Sequence, residues 1–395
     1  VVKVEGVSLL ERNLRVLFLV NAGLSLGMEL IGAIFPLFVQ SLGATVFEVS
    51  LILSASGFVS TLLMAPSGFL SDRYGRKKLI VVSTVLAFFP PVLYTFVREW
   101  GHLLPLVMVY AAALAAFMPA RMVSIADYTH AQNRVRIYGF MNIAWPLGSI
   151  VGPALGGFLA DNYGWNQAFY LAASVFFLCL ITAFFFKEGV NQESVKSKNA
   201  LAQGLSLSRE ALYAVTILFL FHVLISFGVG AVHSLMSIYL TAKFELSKTE
   251  VGLFFSIVGG ATLLSQIPGG MLAARYGMRR VMTWCLAFMS PLFLASSLMN
   301  SFHTFLATYT LTYWFYSMTW PISIAFLMDI VPGNQRGLAT GIRQTGVRLG
   351  FTLGPLVGGI LWETLGPVTP FYASILSTTL AIPLLLTLKE MKETP

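Results

Sequence analysis

The chain has 395 residues, 56% of them hydrophobic and 11% charged, and its mean hydropathy is +0.78. A soluble domain carries roughly a quarter charged residues, so this chain lacks the charge to cover a water-facing surface. A bilayer is the apolar solvent that fits. The net charge of +8 is scattered over short loops, which argues against a nucleic-acid footprint, and no G-x-x-x-x-G-K-[ST] occurs, which argues against an ATPase.

Twelve apolar runs fall near 16–40, 49–71, 79–97, 103–127, 137–160, 166–186, 211–241, 249–274, 281–299, 303–329, 338–361 and 371–388. None alternates as a membrane β-strand would, and interior prolines such as Pro36, Pro66, Pro153, Pro268 and Pro355 are tolerated in membrane helices. The runs predict an all-α membrane protein of twelve transmembrane helices in two pseudo-symmetric six-helix bundles, 1–186 and 211–395. The polar stretch 187–210 joins them as a cytoplasmic linker. No cleavable signal is evident, so the first run reads as the first helix.

Taken in chain order, the first run carries Asn21 and, about midway, Glu29. The second ends at Asp72, followed by Arg73 and Arg76. The fourth holds Arg121 in its last third and ends at Asp127, with Arg134 in the loop beyond. The fifth carries Asn142 and the small residues Gly139, Gly148, Gly152 and Gly156, with Pro153 among them. The seventh holds His222 and His233, eleven apart and so on one face about three turns along. The eighth has Gln266, and the tenth has Tyr309, Tyr313, Trp314, Tyr316 and Trp320. The eleventh carries Arg343, Gln344 and Arg348, then Gly350, Gly354, Pro355 and Gly358. Cys179 and Cys285 lie in apolar runs and read as packing residues.

Intramembrane charges are costly and usually functional. An unpaired carboxylate in that medium costs several kcal/mol to ionise, so Glu29 is the first candidate for coupling to protons or to a cationic substrate, with Arg121 as its modulator. A permanent pair between Glu29 and Arg121 is the competing arrangement. Arg343 and Arg348 either bind an anionic substrate or snorkel toward acids elsewhere. Each histidine is either part of a proton path or a hydrogen-bonded helix contact, and their spacing suits no metal. The tenth-run aromatics, with Asn21, Asn142, Gln266 and Gln344, suit a cavity for large amphipathic substrates or, in part, an interfacial belt.

Placing the N-terminus inside puts 19 of the 25 Lys and Arg on cytoplasmic segments and leaves Arg98, Lys243 and Lys248 outside. By the positive-inside rule both termini are then cytoplasmic. A single offset also runs through the chain. GFLSDRYGRKK at Gly68–Lys78 recurs as GMLAARYGMRR at Gly270–Arg280, 202 positions on, and the fifth-run glycines recur in the eleventh at the same spacing. Glu48 and Glu250, Asp127 and Asp329, Arg134 and Arg336, and Asn142 and Gln344 obey it too. One offset holding across several runs marks a duplicated six-helix unit, a recognised transporter plan.

The G-x-L-x-D-R-x-G-R-K-K loop, its weaker second copy and the Gly139-x8-Gly148-x3-Gly152-Pro153-x2-Gly156-Gly157 run resemble signatures of the major facilitator superfamily, chiefly its drug:proton antiporters. Ala274 replaces Asp72 in the second loop, and Arg121 is not followed by an R-x-x-Q-G pattern. The resemblance implies a secondary transporter of the inner membrane, working by alternating access without cofactor or nucleic acid. It would act as a monomer in the lipid bilayer, exporting small lipophilic or cationic compounds in exchange for protons. Transport of an anionic metabolite, or a non-transporting, lipid-handling role, stands as the alternative. The resemblance further implies a state-dependent cytoplasmic network of Asp72, Arg73, Arg76, Asp127 and Arg134. A weaker counterpart would join Arg275, Arg279 and Arg280 to Asp329. It makes the fifth-run glycine face a contact with a helix of the opposite half; plain tight packing is the simpler reading.

Overall fold

A helix crosses a bilayer in about 20 residues, and the chain forms twelve helices of 18 residues or more among its described residues. The computed structural model describes residues 2–128, 134–187, 208–332 and 335–388. The first series is α1 (Val2–Gly32), α2 (Phe35–Ser41), α3 (Val46–Tyr74), α4 (Arg76–Tyr94), α5 (Leu103–Asp127), α6 (Arg134–Asn162) and α7 (Trp165–Phe184). The second is α8 (Arg209–His233), α9 (Met236–Phe244), α10 (Lys248–Tyr276), α11 (Met278–Leu298), α12 (Phe302–Ile330), α13 (Arg336–Leu365) and α14 (Thr369–Leu386). Ten long helices are apolar enough to cross a membrane by length and composition. The other two, α12 and α13, are as long, but Tyr, Trp and Thr dilute one and Gly and Arg the other.

The first and seventh runs each break near the end, giving the short helices α2 and α9. In α2 the break is fixed by Pro36 in the first turn, where the missing N–H costs nothing. The duplication read from the sequence is reproduced in the backbone. Helices α3 and α10 begin and end 202 residues apart, and α6 and α13 begin at that same spacing. Among the described residues, every one with positive φ obeys it as well: Gly75 (95°) with Gly277 (92°), Gly164 (90°) with Gly366 (102°), and Gly43 (87°) with Glu245 (54°). Glu245 is the sole non-glycine among them and occupies a conformation that its Gly43 counterpart adopts without steric cost.

Packing follows the glycines. A Cβ on Gly152 would lie 2.7 Å from Glu29 Cβ, and Cβ atoms on Gly148 and Gly156 would meet Ser25 and the Leu30 carbonyl. This face therefore packs backbone to backbone on α1, within its own half, and not on the opposite half. The second half repeats the arrangement: Gly350, Gly354 and Gly358 lie against Ser226, Phe227 and Ala231 of α8, and Pro355 touches the Gly230 position. Small residues allow such close approach between membrane helices.

Two compact units result, Val1–Thr45, Ala55–Asn191 and Leu240–Gly259 in one, and Val46–Ser54, Gln192–Tyr239 and Gly260–Pro395 in the other. Each unit contains a helix start taken from the other sequence half. In the first unit the start of α10 is held on α6: Gly252 meets the Pro153 carbonyl, Gly157 meets the Lys248 carbonyl, and Ala154 N–H donates to Ser256 Oγ at 3.0 Å. In the second, Gly359 of α13 meets Ser50 at the start of α3.

Both transferred helix starts are capped by an acid from the end of the glycine helix. Thr249 donates to Asp161 Oδ2 through its hydroxyl at 2.8 Å and its N–H at 3.4 Å. Phe47 N–H donates to Glu363 Oε1 at 2.9 Å. Phe47 and Thr249, like Asp161 and Glu363, stand 202 apart. Carboxylates there accept from first-turn N–H groups that have no intrahelical partner and favour the positive end of the helix dipole. Ser247 and Glu250 add a reciprocal capping box at 2.8 and 3.2 Å, as the S-x-x-E spacing requires.

Gly152→Leu and Gly354→Leu should each destabilise the folded protein by about 1–3 kcal/mol or more, the usual result of overpacking. Gly260→Leu, whose Cβ meets nothing within 4 Å, should be silent. Thermal melts of the purified variants in detergent check this; equal melting of all three would show that the glycine faces are not close contacts.

Candidate functional site

In the first unit, polar groups are strung along α6. Glu29 projects from α1 where Gly152 admits it, and Ser149 Oγ donates to its Oε1 at 3.2 Å. That hydroxyl is its described hydrogen-bond partner. Eight residues earlier on α6, the Met141 carbonyl accepts from Asn21 Nδ2 at 3.0 Å and from Arg121 Nη2 at 3.4 Å. Eight residues of helix rise about 12 Å, so Arg121 and Glu29 lie at different depths and are not an ion pair. Arg121 is 7% exposed, and its guanidinium is held by the α6 backbone rather than by the acid.

The second unit places a guanidinium at the repeat-equivalent spot from the opposite helix. Arg121 corresponds to Ser323 and Met141 to Arg343, both 202 positions on. Arg343 is 3% exposed. Its Nη1 donates to His222 Nε2 at 2.9 Å and lies 3.4 Å from Ser323 Oγ, and its Nη2 reaches Gln344 Oε1 at 3.3 Å. The other nitrogen of His222, Nδ1, donates to the Leu218 carbonyl at 2.8 Å. That bond fixes the tautomer and leaves Nε2 as the acceptor for the guanidinium. Arg348 is not bonded to Arg343.

Helix α12 presents an aromatic ladder at i, i+4, i+7 and i+11. Ring centroids from Tyr309 to Tyr313, Tyr313 to Tyr316 and Tyr316 to Trp320 are 5.0, 5.7 and 6.1 Å apart. His233 packs on Tyr313 with centroids 4.9 Å apart, and its Nδ1 is 3.3 Å from Tyr309 Oη. Both histidines thus face α12 as hydrogen-bonded helix contacts. Trp320 is 38% exposed, and Gln266 is exposed on α10.

The network expected around the Asp72 loop falls only partly within the described residues. The side chains of Asp72, Asp127, Arg134 and Asn142, with Gly139 and linker residues 188–207, lie outside the described residues. Arg73 stacks on Tyr74 at 5.5 Å. In the second half the expected contact with Asp329 is not formed. Arg279 Nη1 instead donates to the Leu388 carbonyl at 2.6 Å, and its repeat partner Lys77 donates to the Phe184 carbonyl at 3.0 Å. Cations at helix C-terminal carbonyls offset the dipole there.

The Major Facilitator Superfamily model matches residues 17–231 and 218–395. The chain belongs to this superfamily. It is a multi-pass membrane transporter of that class and not an enzyme. Multidrug resistance protein 2 of Bacillus subtilis is 24% identical over 346 residues, 86% of each chain. Quinolone resistance protein NorA of Staphylococcus aureus is 23% identical, covering 86% of this chain and 87% of its own. Among solved structures, a bacterial homolog of the human lysosomal transporter Spinster superposes with a TM-score of 0.76 at 14% identity, covering 94% of this chain and 95% of the other. The human organic anion transporter MFSD10 does so at 0.72 and 19%, covering 95% and 99%. At these identities the solved structures show the shared fold.

For this transporter the geometry separates residues that hold the fold from those that do not. Glu29→Gln preserves an oxygen for the Ser149 hydroxyl and should melt close to the parent. Arg121→Ala removes a charged donor from a buried carbonyl and should cost about 1.5–3 kcal/mol. Thermal melts in detergent decide; a large loss in Glu29→Gln alone would make that acid structural.

Proposed function

We propose that the protein exports small lipophilic or cationic compounds in exchange for protons, with Glu29 as the exchange group. The observation that carries this is a carboxylate within the first apolar run, in the last turn of α1, held by one serine hydroxyl and bonded to no cation among the described residues. Ionising such a group is costly unless water, a substrate cation or another positive group compensates. Protonation and cation binding then compete for one side chain, and alternating access converts that competition into exchange. The relatives whose names refer to multidrug and quinolone resistance support the export direction and substrate class, as does the aromatic ladder of α12.

Each bundle, 1–186 and 211–395, is the proposed rigid element, joined by the 187–210 linker. Changing access would part the start of α10 from α6 and the start of α3 from α13, so the Asp161 and Glu363 caps are contacts broken in each cycle. On the cytoplasmic side the proposed network is Asp72, Arg73, Arg76, Asp127 and Arg134. The distribution of Lys and Arg supports an inner-membrane protein with both termini cytoplasmic. One chain carries both repeats, which supports a monomeric transporter.

In proteoliposomes with an imposed pH gradient, Glu29→Gln should abolish uphill movement of ethidium yet leave downhill movement of a neutral dye. Substrate-induced proton release in detergent should vanish in the same variant. Release of undiminished size would remove Glu29 as the exchange group.

A further inference from the structure

We propose that Arg343 is the seat for a carboxylate on the transported compound, so that the substrates include lipophilic acids and zwitterions. This deepens the export reading and rests on the chain being a transporter.

The argument starts from the guanidinium's five N–H groups. The Nη1 end is occupied by His222 and Ser323. The opposite edge, formed by Nε and Nη2, is only half used. Nε is buried without a hydrogen-bond partner, and Nη2 makes one 3.3 Å bond to Gln344, leaving its second N–H. That edge presents two parallel donors, the geometry that takes both oxygens of a carboxylate.

Two buried hydroxyls adjoin it: that of Tyr316 lies close enough to Arg343 and Ser226 to interact with both. The Tyr316 and Ser226 hydroxyls can satisfy one another, whereas Nε–H is left as a buried donor without an acceptor, and buried donors are rarely left so.

Charge points the same way. His222 accepts through Nε2 and adds no negative charge, Ser323 and Gln344 are neutral, and no described carboxylate bonds to Arg343. The cation is 3% exposed. A buried charge without a counter-ion is expensive, and an incoming anion removes that cost. The neutral imidazole meanwhile anchors the Nη1 end. From Tyr316 the aromatic ladder of α12 continues to Tyr313 and Trp320, which suits an aromatic or alkyl body attached to the acid.

The test uses purified full-length protein in detergent, titrated with pyrenebutyrate and with its methyl ester. The parent should bind the acid about tenfold more tightly than the ester, the scale of one charge-assisted bidentate pair. Arg343→Lys keeps the charge but lacks the forked edge and should lose most of that preference; Arg343→Gln should lose all of it. Tyr316→Phe keeps the ring and removes only the hydroxyl beside Arg343, so the folded variant should bind the acid more weakly, by about threefold or more, and the ester unchanged. Equal binding of acid and ester by the parent would overturn the proposal, as would an unchanged preference in Arg343→Lys and Tyr316→Phe. The export reading is tested apart from this, by ethidium movement in parent proteoliposomes: independence from the pH gradient would sink proton exchange and leave the acid site standing.

Discussion

The constraint on which the structure depends is the distance between two helix backbones. Glycine at 148, 152 and 156 lets α6 lie on α1 closely enough that any Cβ would collide, and the copy at 350, 354 and 358 does the same for α13 on α8. In lipid there is no hydrophobic force to press helices together, so close van der Waals contact and buried hydrogen bonds must do so. The approach places Glu29 beside Ser149 and brings Ser226 against Gly350. The polar sites are therefore set by where side chains are missing.

The same two helices carry a second face. Gly157 and Pro153 receive the start of α10, and Gly359 receives the start of α3. A face that holds α1 permanently and a face that holds a helix start from the other sequence half sit on one rod. Ser149 touches both the Glu29 site and the second face: its hydroxyl bonds Glu29, and its carbonyl lies 2.6 Å from a Cβ built on Gly259, so under the proposed exchange it would link the two.

Much of this was legible in the sequence. Hydropathy located the long helices, and the 202-residue offset read from loops and glycines recurs in the ends of α3 and α10, in the starts of α6 and α13 and in the Gly43–Glu245 pair. Helix rotation was not legible, since composition fixes that a run spans but not which way each side chain faces. The glycine face was therefore referred to the wrong neighbour, and Glu29 was offered a partner in Arg121 that lies about two turns away along α6. Asp329 was likewise matched with arginines that bond elsewhere. The offset held an unused signal: it pairs Arg121 with Ser323, Met141 with Arg343 and Asp161 with Glu363, which are the positions where the two halves place their buried guanidinium groups and their helix caps.

The central claim is that protonation at Glu29 and the grip of α6 on α10 are linked. Spin labels at 163 and 245, both exposed, report the separation of the outer α6 and α10 ends by pulsed electron resonance across a pH series in nanodiscs. The account predicts two distance populations whose ratio shifts with pH in the parent and stays fixed in Glu29→Gln. The same pH dependence in both proteins would contradict it.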